Sequence, residues 1–206
     1  ECALRDRNTT HVYCFFLNAT TTTDIHTLPS HDALPIWNHT HLADSLAGAR
    51  EALEAYRTGD PLEEETPLGP LASRGALDFL EEQVRDAVGR GASLLTGGAR
   101  TPDCAGNFFQ PTLLAAVPND ASAMQEESFG PILPVLGVSG DEEALAHMRD
   151  TRFGLTASIW TSDQERAERF ARSLDAGTIF QNRCDFLDPA LRSEEHTSEL
   201  QSHLNL

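Results

Sequence analysis

The chain has 206 residues, 40% of them hydrophobic and 23% charged, a composition that supports one sizeable core under an ordinary polar surface. Its 32 Asp and Glu outweigh 15 basic residues for a formal charge of -17, which excludes nucleic acid and anionic membrane as partners, because neutralising phosphates needs clustered cations. Every basic residue is Arg, so Schiff-base chemistry on Lys and a Lys-bearing phosphate loop are excluded within this chain.

At the amino terminus, the apolar residues 12–17 follow Arg5 and Arg7 but fall short of the roughly seven to fifteen residues of a signal-peptide core. No run approaches the ~18 apolar residues of a membrane span, so a soluble, cytoplasmic protein is expected. Residues 1–37 resemble instead a translated sequencing adapter. HDALPI at 31–36 is what CAC GAC GCT CTT CCG ATC encodes, and 18–30 resemble the rest of that adapter arm with several substitutions. The T that opens the Trp37 codon completes the reverse complement of AGATCGGAAGAGC, and AGA TCG GAA GAG CAC encodes Arg192 to His196, the start of RSEEHTSELQS at 192–202. Helix and linker preferences offer no reason for both junctions to match one adapter stem. Residues 38–191 are therefore taken as the folded part, flanked by irregular adapter-like segments at 1–37 and 192–206. Neither end shows sustained helical or strand periodicity, so neither is expected to add to the core, and deleting both is expected to leave stability nearly unchanged.

This division sets aside some suggestive residues. His26 and His31 fall in the adapter-like arm, and the pair His39 and His41 lacks further ligands at metal-site spacing, so no metal is expected. Asn8, Asn18 and Asn38 each open an N-x-Thr pattern, but glycosylation requires secretion and no credible leader precedes them.

Beyond residue 38, Leu42, Leu46, Leu53 and Tyr56 recur at helical spacing and Thr58-Gly59-Asp60-Pro61 supplies a stop. Leu77, Leu80, Val84, Ala87 and Val88 form a second helical stripe, with Ser73 placed to cap it and Gly89 and Gly91 placed to end it. Residues 92–96 read as a strand reached directly from that helix. Residues 108–117 are extended, and Pro111 assigns them to a sheet edge or a crossing segment. Residues 132–138 are a strand interrupted only by Pro134. Capping-box spacing in Ser139-Gly140-Asp141-Glu142 and in Ser162-Asp163-Gln164-Glu165 opens two more helices. The strands 156–161 and 178–181 lie between and after these helices, with Gly177 placed as a C-cap. Strands alternating with helices predict an α/β fold, an open and largely parallel sheet with crossover helices.

Chemical candidates are few. The folded part holds Cys104, Cys184, His39, His41 and His147, from which no nucleophile, base and orienting residue can be assembled, and no catalytic group is assigned. His147 reads as a solvated residue on its helix. The densest segment is Gln125-Glu126-Glu127-Ser128-Phe129-Gly130-Pro131, where a carboxylate can accept both hydroxyls of a vicinal diol and a ring can cover a planar ligand. The competing reading makes the glutamates solvated charges and Phe129 a core residue.

That segment resembles the E-E-x-F-G-P motif of the aldehyde dehydrogenase superfamily, and other motifs of the family follow in order. Gly59-Asp60-Pro61 with Leu68-Gly69-Pro70 resembles its G-D-P and G-P pair. Gly97-Gly98 and Gly106-Asn107-Phe108-Phe109-Gln110-Pro111-Thr112 resemble its G-G and G-x-F/Y-x-x-P-T elements. Phe153-Gly154-Leu155-Thr156-Ala157 resembles Y-G-L-x-A, and Ala176-Gly177 through Asn182 resembles A-G-x-x-x-x-N. The spacing holds from about residue 42 to Leu191, and the stretch 182–191 resembles a bacterial subgroup. The resemblance implies the C-terminal part of a catalytic domain that oxidises a small-molecule aldehyde to an acid with NAD or NADP, in a parent that is a homo-oligomer. It implies that Glu127 accepts hydrogen bonds from the nicotinamide ribose, that Phe129 lies beside that ribose and ring, and that Leu155 lies next to the nicotinamide site. The family's nucleophilic Cys, its general-base Glu, the oxyanion Asn and the Gly-rich nucleotide-binding region would all lie upstream of residue 38, and neither Cys104 nor Cys184 sits in a matching context. This chain alone is accordingly expected to be inactive. Two rival readings are a non-catalytic binding or assembly module of the same fold and an acidic interaction protein.

Overall fold

The computed structural model describes the backbone of residues 13–17 and residues 34–40, 42–102, 104–154 and 156–182 in full. His26, His31, His41, Asn8, Asn18, Leu155, Cys184 and the tail 192–206 lie outside the described residues.

Seven strands form one sheet. In chain order the elements are β1 (Tyr13–Leu17), β2 (Ile36–Asn38), α1 (Leu42–Ala55), α2 (Arg74–Gly89), β3 (Ser93–Thr96), β4 (Thr112–Ala115), α3 (Ser122–Gln125), β5 (Ile132–Val138), α4 (Asp141–Arg149), β6 (Thr156–Trp160), α5 (Gln164–Ser173) and β7 (Thr178–Gln181). Their order across the sheet is β3-β4-β5-β2-β1-β6-β7. β4, β5 and β2 run parallel, as do β6 and β7, while β3 and β1 are antiparallel to their neighbours. The open, largely parallel α/β sheet is as expected.

Side-chain alternation along the strands sorts the core into two layers. Ile36, Leu114, Ile132 and Val138 pack with Leu77 and Leu80 of α2, Leu145 and Met148 of α4 and Phe170 of α5. On the same strands Trp37, Leu113 and Val135 face the other way, against Ala49 and Leu53 of α1. Helices thus cover both faces, the arrangement in which a parallel sheet buries its strands. Among the described residues no helix is long and apolar enough to cross a membrane.

One expectation is corrected at the amino-terminal end. Leu34, Ile36 and Trp37 are buried and Tyr13–Leu17 forms a strand inside the sheet, so residues 1–37 do contribute regular structure and core. The physical reason is that short extended segments rich in aromatic and β-branched residues gain backbone partners in the sheet, and at Ile36 and Trp37 burial as well, whatever their flanks look like.

The prolines also behave differently from expectation. β4 lies between β3 and β5 with all four residues buried, and not at an edge. The strand begins one residue after Pro111, so its missing donor removes no ladder bond. Pro134 sits within β5, opposite Leu114 of β4. In a parallel strand, residues two apart direct their N–H groups to the same neighbour. Leu136 donates to Pro35 at 3.1 Å on the β2 side, so the donor that Pro134 lacks would face that side before β2 has begun.

At the helix ends, two caps lie one residue from the expected position. Ser73 caps α2 as expected, accepting from the Ala76 N–H at 3.1 Å. The helix closes with two bonds, Ala92 to Ala87 at 2.9 Å and Gly91 to Val88 at 3.0 Å, around Gly91 at φ 104°, the pattern in which a left-handed glycine satisfies terminal carbonyls. Val88, assigned to the buried stripe, is instead exposed. α4 has Gly140 at its N-cap, and Ser139 donates from its N–H and hydroxyl to the Glu143 carboxylate. α5 is capped by Asp163, which accepts from Arg166 at 3.0 Å, and not by Ser162. Gly177 does not end α5. Leu174 does, and the Gly177 N–H donates to Gly154 at 2.8 Å.

Candidate functional site

The segment between α3 and β5, residues 126–131, is built by what α2 presents to it. Asp86 accepts the Ser122 N–H at 2.8 Å and so caps the short α3 from outside. Its carboxyl is held below the usual carboxylate range, first by the Arg90 guanidinium and then by that Ser122 amide. One turn earlier, the fully buried Gln83 reaches the carbonyls of Ser122 and Glu126 at 3.4 and 3.5 Å. Another turn back, Leu80 lies under Gly130, where an added Cβ would fall 2.3 Å from its Cδ1. At Gly130 the loop backbone thus approaches α2 too closely for a side chain to fit between them.

Between those anchors the chain alternates. Ser128 is buried, whereas Phe129 turns outward, 53% exposed and with a left-handed φ of 45°. The reading of Phe129 as a core residue is therefore overturned. Glu126 forms an ion pair with Arg152, whose guanidinium lies 4.9 Å from the Phe153 ring centre. Glu127 is half-buried and takes part in none of the ion pairs among the described residues. The two adjacent glutamates, equivalent as types, have different surroundings: one is engaged by a cation and the other keeps its lone pairs for hydroxyl donors.

The Glu126 and Arg152 pair brings the loop entering β5 beside the loop entering β6. There Gly154 packs on the Asp175 carbonyl, 2.8 Å from where a Cβ would stand, and Arg149 donates to Ser173 at 2.7 Å. Around these contacts lies a cleft of about 540 Å³ lined by Arg149, Arg152, Phe153, Gly154 and Asp175 among others. Of the expected site residues, Glu127 and Phe129 share one loop, and Leu155, outside the described residues, follows the neighbouring one. Glu127 and Phe129 stand at the amino end of the parallel strand β5, whereas open α/β sheets generally place ligands at the carboxyl ends.

Other candidates lie apart in chemistry. Cys104 is a half-buried free thiol in the connection between β3 and β4, and it takes part in no hydrogen bond or ion pair among the described residues. His39 lies in the turn after β2, its N–H donating to Val138 at 2.9 Å, and His147 is half-buried on α4. Sequence reasoning missed Gln83, Asp86 and Arg152. A signal existed for the first: a polar residue inside the apolar stripe Leu77, Leu80, Val84 and Ala87 of α2 contradicts the amphipathic pattern and marks an internal hydrogen-bonding task.

Residues 39–192 match the family description "Aldehyde dehydrogenase family". The succinate-semialdehyde dehydrogenase [NADP(+)] of Deinococcus radiodurans is 40% identical over 132 residues, which is 64% of this chain and 28% of that protein. The geranial dehydrogenase of Castellaniella defragrans is 34% identical over 145 residues, 70% of this chain and 30% of that one. Among solved structures, indole-3-acetaldehyde dehydrogenase complexed with NAD+ superposes with a TM-score of 0.73 at 30% identity, covering 77% of this chain and 32% of its own. The chain thus spans about a third or less of the proteins it matches.

Proposed function

The chain belongs to the aldehyde dehydrogenase family, and on that premise we propose that it is the C-terminal part of the catalytic domain of an enzyme that oxidises an aldehyde to a carboxylic acid with NAD or NADP. In this reading residues 38–191 are the enzyme's own and the flanks at 1–37 and 192–206 are adapter-like additions. The nucleophilic Cys and the hydrolytic base belong to the enzyme upstream of residue 38, so this chain by itself does not turn over aldehyde. The bound nicotinamide cofactor would accept the hydride released when the thiohemiacetal on that Cys collapses to a thioester.

What this chain supplies is one wall of the cofactor site. The observation that carries the reading is the 126–131 loop, where a carboxylate free of cation partners stands beside an outward-turned ring. Glu127 would accept hydrogen bonds from the two ribose hydroxyls, a diol that matches the two oxygens of a carboxylate. Phe129 would limit the swing of the nicotinamide, and restricted motion near the reacting geometry is worth rate. Glu126 is committed to Arg152 and serves the loop, not the ligand.

The test is single-turnover NAD(P)H formation in the full-length parent enzyme. Glu127→Gln keeps shape and removes charge. Hydrogen bonds to charged groups contribute about 1.5 to 3 kcal/mol, so hydride transfer should slow by roughly ten- to a hundredfold, and Glu126→Gln should do much less. Equal rates for wild type and Glu127→Gln at saturating cofactor, with unchanged cofactor affinity, would return Glu127 to a solvated loop charge.

A further inference from the structure

We propose that Gln83 of α2 is a positioning residue for the Glu127 and Phe129 loop, an inference that rests on the cofactor-site reading above. Its side chain is fully buried, and its amide nitrogen lies 3.4 Å from the Ser122 carbonyl and 3.5 Å from the Glu126 carbonyl. The second contact has the greater consequence. The Glu126 carbonyl belongs to the peptide unit whose nitrogen is that of Glu127, so a donor on that oxygen sets the plane of the peptide and with it the direction in which the Glu127 side chain leaves the backbone.

Gln83 is also a poor choice for packing alone. Its carbonyl oxygen is buried with no hydrogen-bond partner, and an unsatisfied buried acceptor costs free energy that an apolar side chain of the same length would avoid. What the amide adds is direction. With Leu80 under Gly130 and Asp86 on the Ser122 N–H, one face of α2 meets the start of α3, the peptide before Glu127 and the end of the 126–131 segment. Gln83 is the member of the three that reaches the peptide next to the ligand-facing carboxylate.

Gln83→Met keeps length and apolar contact and deletes the donor. Hydrogen exchange on the 206-residue chain should show faster exchange at the amides of 126–130 with α1 unchanged, while Tm stays level or rises, because the orphaned oxygen is gone as well. In the full-length parent the KM for NAD(P)+ should rise and the single-turnover hydride rate should fall roughly tenfold, within the loss that small misplacements near a reacting centre cause. In a Glu127→Gln background the same substitution should add little, since the carboxylate it aims is already gone. A lowered Tm with unchanged 126–130 exchange and unchanged kinetics would make Gln83 a packing residue and overturn the proposal. So would equal kinetic effects in both backgrounds. If Glu127→Gln alone leaves hydride transfer and cofactor affinity untouched, it is the cofactor-site reading that fails. If Glu127→Gln is impaired while Gln83→Met behaves as wild type, that reading stands and the positioning role is lost.

Discussion

Phe129 carries two costs at once: it leaves about half its surface in water, and it holds a left-handed backbone that disfavours any residue with a Cβ. A left-handed φ at an exposed phenylalanine is the kind of outlier from which a functional role is inferred. Its neighbour Gly130 explains how the chain tolerates that geometry, because the loop can descend onto Leu80 only where no side chain intervenes. Gly130→Ala should therefore destabilise the fold by about 1 to 3 kcal/mol, the range for overpacked cores. Adding Leu80→Ala should make the double variant less unstable than the sum of the two single ones, because the clash and its cause are removed together. Urea midpoints of the four proteins decide this, and strictly additive losses would mean that the loop and helix relax apart independently. The motif around Phe129 was legible in the sequence as a motif. The outward turn of its ring was not, because residue type alone assigns phenylalanine to the core and only the fold reveals a φ of 45°.

Among the elements, α2 does more than cover the sheet. Its polar edge carries Asp86 paired with Arg90 at 2.7 Å, and Arg90 in turn pairs with Asp120 at 2.8 Å, just ahead of α3. Glu81 pairs with Arg100 at 2.7 Å, and its carboxyl is held low mainly by that guanidinium. Ser139, through its hydroxyl and its amide, lowers Glu143 on α4. A carboxyl that resists protonation in the folded chain more than in the unfolded one contributes stability fully above its ordinary pKa, near 4, and loses it as pH falls through the lowered value. The urea midpoint should consequently decline below about pH 4, and Asp86→Asn should decline less over that window while being less stable at pH 7. Superimposed profiles would mean that the Asp86 pairings are fully screened. The longer helices were legible because each repeats a period long enough to recognise, and the strands from residue 93 onward because short apolar, β-branched or aromatic runs stand between turn residues and helices. The four-residue α3 was not, since it completes about one turn and shows no stripe. Caps were displaced by one residue at α4 and α5 because Ser and Asp stand side by side there, or Ser precedes Gly, and either neighbour satisfies the same local pattern.

At the scale of the molecule, the family match begins at residue 39, yet the sheet depends on residues before it. β1 stands between β2 and β6, and in the order of strands it is, among the described residues, the hydrogen-bonded link between the four-stranded part β3-β4-β5-β2 and the pair β6-β7. It enters antiparallel to both sides, in a row whose other inner strands are parallel. Trp37, beside it on β2, is 1% exposed, so the boundary drawn by the sequence pattern and the boundary drawn by packing do not coincide. Legibility failed here because a strand needs only a few β-favouring residues and a vacant neighbour, and the vacancy is a property of the whole sheet. The arrangement also separates local pairings from distant ones. The pairings of β4 with β5 and of β6 with β7 join segments close along the chain, while Tyr13 must find Trp160 across more than a hundred residues, and closure of so long a loop is the slow, entropically opposed step of such a topology. In refolding followed by pulsed hydrogen exchange, amides of β4 and β5 should be protected in an early phase and those along the β1 and β6 seam in a later one, with the two halves of the sheet formed before they are joined. Protection appearing at a single rate across all seven strands would show instead that the central seam nucleates the molecule, and that the strand with the most distant partner is the first to arrive.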